Sequence, residues 1–362
     1  KNPDEPVFPT HTEESNWSCK FGDGVTPFFH VFNGPRAQTD DLIQVRLIAG
    51  NNREIASKEI RTELKRPFSS RMFFADQIFD CQNLPPETFL SVTRPSGEVF
   101  PRLVVGNYYK SLQFLEATHS FPWTTIQDYV ARPEAGSLSS FMPAIQPQGL
   151  SLQMVSFPTN ASAHVTGQIR IMKDSDTALQ PSSRKVSWHT GGTAAKVQVF
   201  ELAENEKMLC VDFAAEGQVP SRLNASYRYR VRGTKAFYST DIATGAKSWV
   251  YPPKVSHWGH GVISSDFETI VMLRNIAHDP SKNQKDKGTL EVFWEGGKAE
   301  SFPVEVEAES CSFVNLSKHL PQLVGSAKPK LISWFLKMEK PHTETFWVAF
   351  APDGRICAEH GF

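Results

Sequence analysis

The 362-residue chain carries 38 Lys and Arg against 39 Asp and Glu, with 40% apolar and 21% charged residues. That length exceeds one ordinary core and predicts two or three domains, and the composition excludes a disordered or fibrous chain. Balanced charge speaks against a nucleic-acid partner, and the apolar runs fall short of the roughly 20 residues that a membrane span needs.

In chain order, an arm leads into an apolar stretch at 26–33 that ends in Asn33. Residues 41–50 then alternate by two, turn at Gly50-Asn51-Asn52 and run into a second strand at 53–64. A strand, a Gly/Asn turn and another strand form a hairpin signature. Residues 72–79 form a short aromatic-apolar segment that predicts one helical turn, and strands at 87–93 and 115–121 follow. His119 stands near the end of the last.

The same landmarks return far downstream. Residues 268–275 end in Asn275, 288–297 turn at Gly296-Gly297 into 298–307, 312–320 predict a helical turn, and 330–336 and 356–362 are strands. Asn275 lies 242 positions after Asn33. His119 lies 86 past Asn33, and His360 lies 85 past Asn275. Order and spacing together predict a repeat.

The middle of the chain fits the same scheme with strands at 150–160, 164–172, 185–188, 196–202, 207–213, 226–232 and 236–241. Asp241 or a neighbour stands there in place of the terminal His. Short alternating strands broken by turn residues predict an all-β chain of three related, tandem antiparallel β-sandwich modules, immunoglobulin-like or jelly-roll-like. Their expected bounds are 1–122, 150–247 and 264–362, with aromatic, Pro-rich joints at 123–149 and 248–263. Such joints predict modules packed into a rigid array rather than strung on a flexible linker.

Chemistry is harder to read. No nucleophile elbow, phosphate loop, dinucleotide fingerprint or HExxH run occurs. His257 and His260 form an HxxH pair, and His119 is a candidate third ligand for a divalent metal such as zinc. The competing expectation is no cofactor, with His119 and His360 bonding backbone carbonyls at strand ends. Trp123, Tyr129 and Trp258 are candidate ligand-binding rings, since a flat aromatic face suits a sugar. Glu116, Asp128 and Glu134 are candidate carboxylates near the first joint.

Five widely spaced cysteines do not make a disulfide scaffold, and sequons stand at Asn16, Asn160, Asn224 and Asn315. A first residue Lys1 in place of Met is expected of a processed or trimmed product. The sequence therefore predicts a non-enzymatic structural, scaffolding or binding protein, extracellular or at a cell surface. Its expected partners are another protein, its own copies or a carbohydrate. The alternative is a hydrolase or carbohydrate-active enzyme with a site at a module junction, metal-assisted through His257 and His260.

Overall fold

A computed structural model describes residues 11–17, 19–33, 42–95, 103–122, 129–130, 138–143, 150–156, 164–176, 179–189, 194–215, 219–220, 225–231, 237–240, 255–275, 280–326, 328–353 and 355–361. The chain is all-β: sheets of antiparallel strands, with helices of a single turn.

The first stretch contains β1 (His11–Asn16), β2 (Val25–Phe32), β3 (Leu42–Ile48), β4 (Glu54–Arg61) and β5 (Ser70–Phe74). The turn α1 (Ala75–Ile78) follows, then β6 (Phe89–Pro95), β7 (Val104–Tyr109), β8 (Phe114–His119) and the two-residue β9 (Phe121–Pro122). The middle stretch opens with β10 (Tyr129–Val130), β11 (Leu138–Pro143), β12 (Leu150–Ser156), β13 (His164–Lys173) and β14 (Gln180–His189). It continues through β15 (Gln198–Glu201), β16 (Glu206–Ala215), β17 (Val219–Pro220), β18 (Ala225–Val231) and β19 (Phe237–Thr240). The last stretch has β20 (Ser256–Ile263), β21 (Glu268–Asn275), β22 (Asp286–Trp294), β23 (Lys298–Val306) and β24 (Ser310–Asn315). After the turns α2 (Leu316–His319) and α3 (Pro321–Val324) come β25 (Lys330–Met338), β26 (Thr343–Phe350) and β27 (Ile356–His360).

The pairing order is the same in all three stretches. The sheets run β4-β3-β6-β1-β9 and β5-β2-β7-β8, then β14-β13-β16-β11 and β15-β12-β18-β19, then β23-β22-β25-β20 and β24-β21-β26-β27. Setting aside the short β9, β10 and β17 and counting eight strands per stretch, one sheet is always 4-3-6-1 and the other 5-2-7-8.

Period-2 alternation feeds a core in the first and last stretches. In β25, Ile332, Trp334, Leu336 and Met338 are buried, while Leu331, Ser333 and Lys337 are exposed. Those inward residues join Leu290 and Val292 of β22, Val271 and Leu273 of β21 and Trp347 of β26 in one cluster fed by both sheets. Ile43 and Val45 of β3, Phe29 of β2, Leu90 of β6 and Val105 of β7 do the same in the first stretch.

The Asn landmarks make the same bond twice. Asn33 Nδ2 donates to the Leu64 carbonyl at 3.2 Å, and Asn275 Nδ2 to the Val306 carbonyl at 3.3 Å, each 31 positions ahead. Both tie the end of strand 2 to the chain at or just beyond strand 4. The predicted helical turns also form, as α1 and α2, and Asn315 caps α2 by accepting from Lys318 N at 3.2 Å.

By compactness the chain divides into two units: Lys1–Tyr129 with Phe157–Ala163 and His189–Gln198, and Val130–Ser156 with His164–Trp188 and Val199–Phe362. Within the second unit, Met172 and Leu179 of the middle stretch pack with Cys311 and Phe313 of the last.

The stretches read as joints contain regular structure. β11 lies within 123–149 and β20 within 248–263, and each is the first strand of the sheet that follows. Neither has an alternating apolar run: β11 reads Leu-Ser-Ser-Phe-Met-Pro, and β20 breaks its pattern with His257, Gly259, His260 and Gly261. As sheet edges they need a paired flank on one side only. Trp123, Trp249 and Tyr251 lie outside the described residues.

Candidate aromatic face and groove

β20 sits at one edge of the β23-β22-β25-β20 sheet, paired to β25 over its whole length. Its alternation buries His257, Gly259, Gly261 and Ile263 and turns Trp258 and His260 outward. Gly259 is required by a close approach. A Cβ there would lie 2.4 Å from Trp334 Cζ2, so its absence lets the buried indole lie against the strand. That indole in turn donates from Nε1 to the His260 carbonyl at 3.1 Å.

On the outer face, residues line up across strands. One row is Trp258, Phe335 and Glu291, the next is His260, Ser333 and Phe293, and a third pairs Val262 with Leu331. Trp258 is 47% exposed, Phe293 41% and Leu331 75%, high values for large apolar side chains on a regular strand. The His260 ring stands edge-on to the Trp258 indole, centroids 5.5 Å apart at 75°. Its Nδ1 lies 3.1 Å from Ser333 Oγ.

One row further along, Lys337, Thr289 and Pro303 face each other and open into a groove of about 890 Å³. Val255, Lys287, Glu305 and Glu339 help to line it, so two cations and two anions share the wall. Lys285 lies 2.9 Å from Glu305 and 2.8 Å from Glu307. Its hydrogen bond holds the Glu305 carboxyl below the usual carboxylate range.

The corresponding strands of the first stretch carry different chemistry. There Arg46 of β3 pairs with Glu13 of β1, and Ser91 Oγ of β6 donates to Glu13 at 2.7 Å. The shared strand order therefore does not dictate an aromatic outer face.

His257 and His260, three apart on a strand, leave it on opposite faces: His257 is 4% exposed and points inward, His260 outward. An HxxH pair converges on one ion when the loop curls or the segment is helical, and this one is extended. His119 ends β8 with Nδ1 2.8 Å from the Ser120 carbonyl, and His360 ends β27 with Nδ1 3.2 Å from the Gly361 carbonyl. Tyr129 lies in β10, its side chain outside the described residues, as is Trp123. Of the three candidate rings, only Trp258 can be placed on a surface.

Glu116 is buried, accepting from Tyr109 OH at 3.0 Å and Asn107 Nδ2 at 3.3 Å; Asp128 and Glu134 lie outside the described residues. Asn16 is 1% exposed, its Nδ2 donating to the Phe28 and Gly106 carbonyls, so a glycan on this atom is incompatible with the fold. Cys81 is a free thiol.

Sequence reasoning missed Phe293, Leu331 and Phe335. The signal was there: β25 is apolar on both parities over Leu331-Ile332 and Trp334-Phe335-Leu336, which a one-sided antiparallel strand does not need.

No protein-family model matches the chain, and no curated protein matches it either.

Proposed function

We propose that this chain is a non-catalytic binding and scaffolding protein built from three copies of one eight-stranded β-sandwich. Its ligand-contacting surface is the outer face of the β23-β22-β25-β20 sheet. The observation that carries the reading is the exposure of Trp258, Phe293 and Leu331 together on one regular sheet face beside an open groove. Support for the copies comes from the common strand order and from the matching Asn33 and Asn275 bonds.

The Ser333–His260 contact is what favours catalysis instead, because a hydroxyl within reach of an imidazole is the start of a nucleophilic site. The backbone around it argues otherwise. β25 is flanked by β20 on one side and β22 on the other, so its N–H groups belong to the two ladders. An oxyanion needs donors aimed at it, and a strand paired on both sides has none to offer. A second Ser–His contact, His164 Nε2 to Ser187 Oγ at 3.0 Å, joins β13 and β14, as expected of ordinary cross-strand pairs.

Crystals soaked in a mixed small-fragment library test the surface without presuming a ligand class. Occupancy over Trp258, Phe335 and the groove is expected. Fragments gathered only elsewhere would defeat the reading.

A further inference from the structure

We infer that the outer face of the β23-β22-β25-β20 sheet takes a neutral oligosaccharide, with pyranose rings stacked on Trp258 and Phe335 and hydroxyls bonded by His260, Ser333 and Glu291. This rests on the proposed binding role of that face and assigns its ligand class.

Size comes first. The apolar band covers three rows about 6.8 Å apart on three strands about 4.8 Å apart, on the order of 300 Å². A stable protein interface needs about 800 Å² per partner, so the band is too small to hold a folded partner or a second copy of this chain. A chain of a few sugar rings fits it.

Chemistry comes next. A pyranose presents a flat C–H face and a rim of hydroxyls, so it asks for aromatic rings with polar groups between them. Along β20 and β25, Trp258 is followed two positions on by His260, and Phe335 is preceded two positions back by Ser333. Phe335 stands directly across from Trp258 on one side and Glu291 on the other. Hydroxyls can donate to Glu291, and Ser333 can donate to or accept from them. The groove beyond adds Thr289 and Lys337 at its mouth.

Charge decides between sugar classes. Around the groove Lys285, Lys287 and Lys337 are matched by Glu305, Glu307 and Glu339, which leaves no excess cation to draw a polyanion. All the ring-bearing residues lie on paired strands, and His260 stands edge-on to the Trp258 indole, so little ordering is left to do on binding.

The test is native affinity electrophoresis of the full chain through gels containing soluble glucan, mannan, xylan, galactan or a polyuronate. At least one neutral polymer should retard the chain. Trp258→Ala should weaken that retardation at least tenfold, and Trp258→Phe should recover most of it. Thr289→Trp, a bulky residue at an exposed position beside the rings, should block the groove mouth and weaken binding independently. Unchanged melting temperatures are expected for these variants.

Retardation by no polymer, or by the polyuronate alone, would overturn the inference, as would binding that is indifferent to Trp258→Ala and Thr289→Trp. Fragment occupancy on the face without polysaccharide retardation would remove only the sugar assignment. Failure of both experiments would remove the binding surface itself.

Discussion

Asn33 and Asn275 show how much a single polar side chain can fix. Each donates from Nδ2 to a carbonyl 31 positions ahead, and each is almost wholly buried, at 4% and 1% exposed. Removing the amide strands a buried acceptor and opens a small void, a loss of about 1–3 kcal/mol. Asn33→Ala and Asn275→Ala should therefore each lower stability by that order in urea unfolding, and by similar amounts. A neutral result at either position would show that the bond is incidental there. Histidines illustrate the opposite lesson. His257 and His260 look like a metal pair in the sequence, but strand geometry sends them to opposite faces, which spacing alone could not disclose.

Among the elements, β20 repays closest attention. It is a sheet edge whose sequence gives no clean alternation, because Gly259 and Gly261 occupy two of its inward positions. The ring of Trp334 fills the space that a side chain at 259 would take. Gly259→Ala should force that buried indole to shift, costing about 1–3 kcal/mol by overpacking. The drop should appear in thermal unfolding, together with a change in near-ultraviolet circular dichroism. An unperturbed spectrum would mean that the ring has room to spare. β25 is the counterpart, since its doubly apolar sequence supplies both the core and the exposed face. Its inner row was legible from period 2, whereas the role of its outer row waited on knowing which neighbours lie beside it.

For the whole molecule, the copies proposed above require that a stretch close a core by itself. The last is the clearest case: its cluster draws on β20–β26 and the turns between. A fragment of residues 255–361 is accordingly expected to unfold cooperatively in urea. Cys311 and Phe313, which pack with Met172 and Leu179 in the full chain, would be uncovered in it and should favour self-association. Fluorescence and circular-dichroism transitions that fail to coincide would count against the copy as a folding unit.

By itself the sequence determined the all-β class, many of the strands with the turns between them, and the spacing that matches Asn33 with Asn275 and His119 with His360. These follow from local periodicity, turn residues and spacing, all of which are written along the chain. Only the tertiary structure decided that the two supposed joints contain edge strands and that His257 and His260 part company. It alone gathered Trp258, Phe293, Leu331 and Phe335, drawn from three strands, onto one face. The physical reason is that strand pairing joins residues far apart in sequence, and a pleated strand assigns each side chain to a face by parity, so which residues meet depends on register.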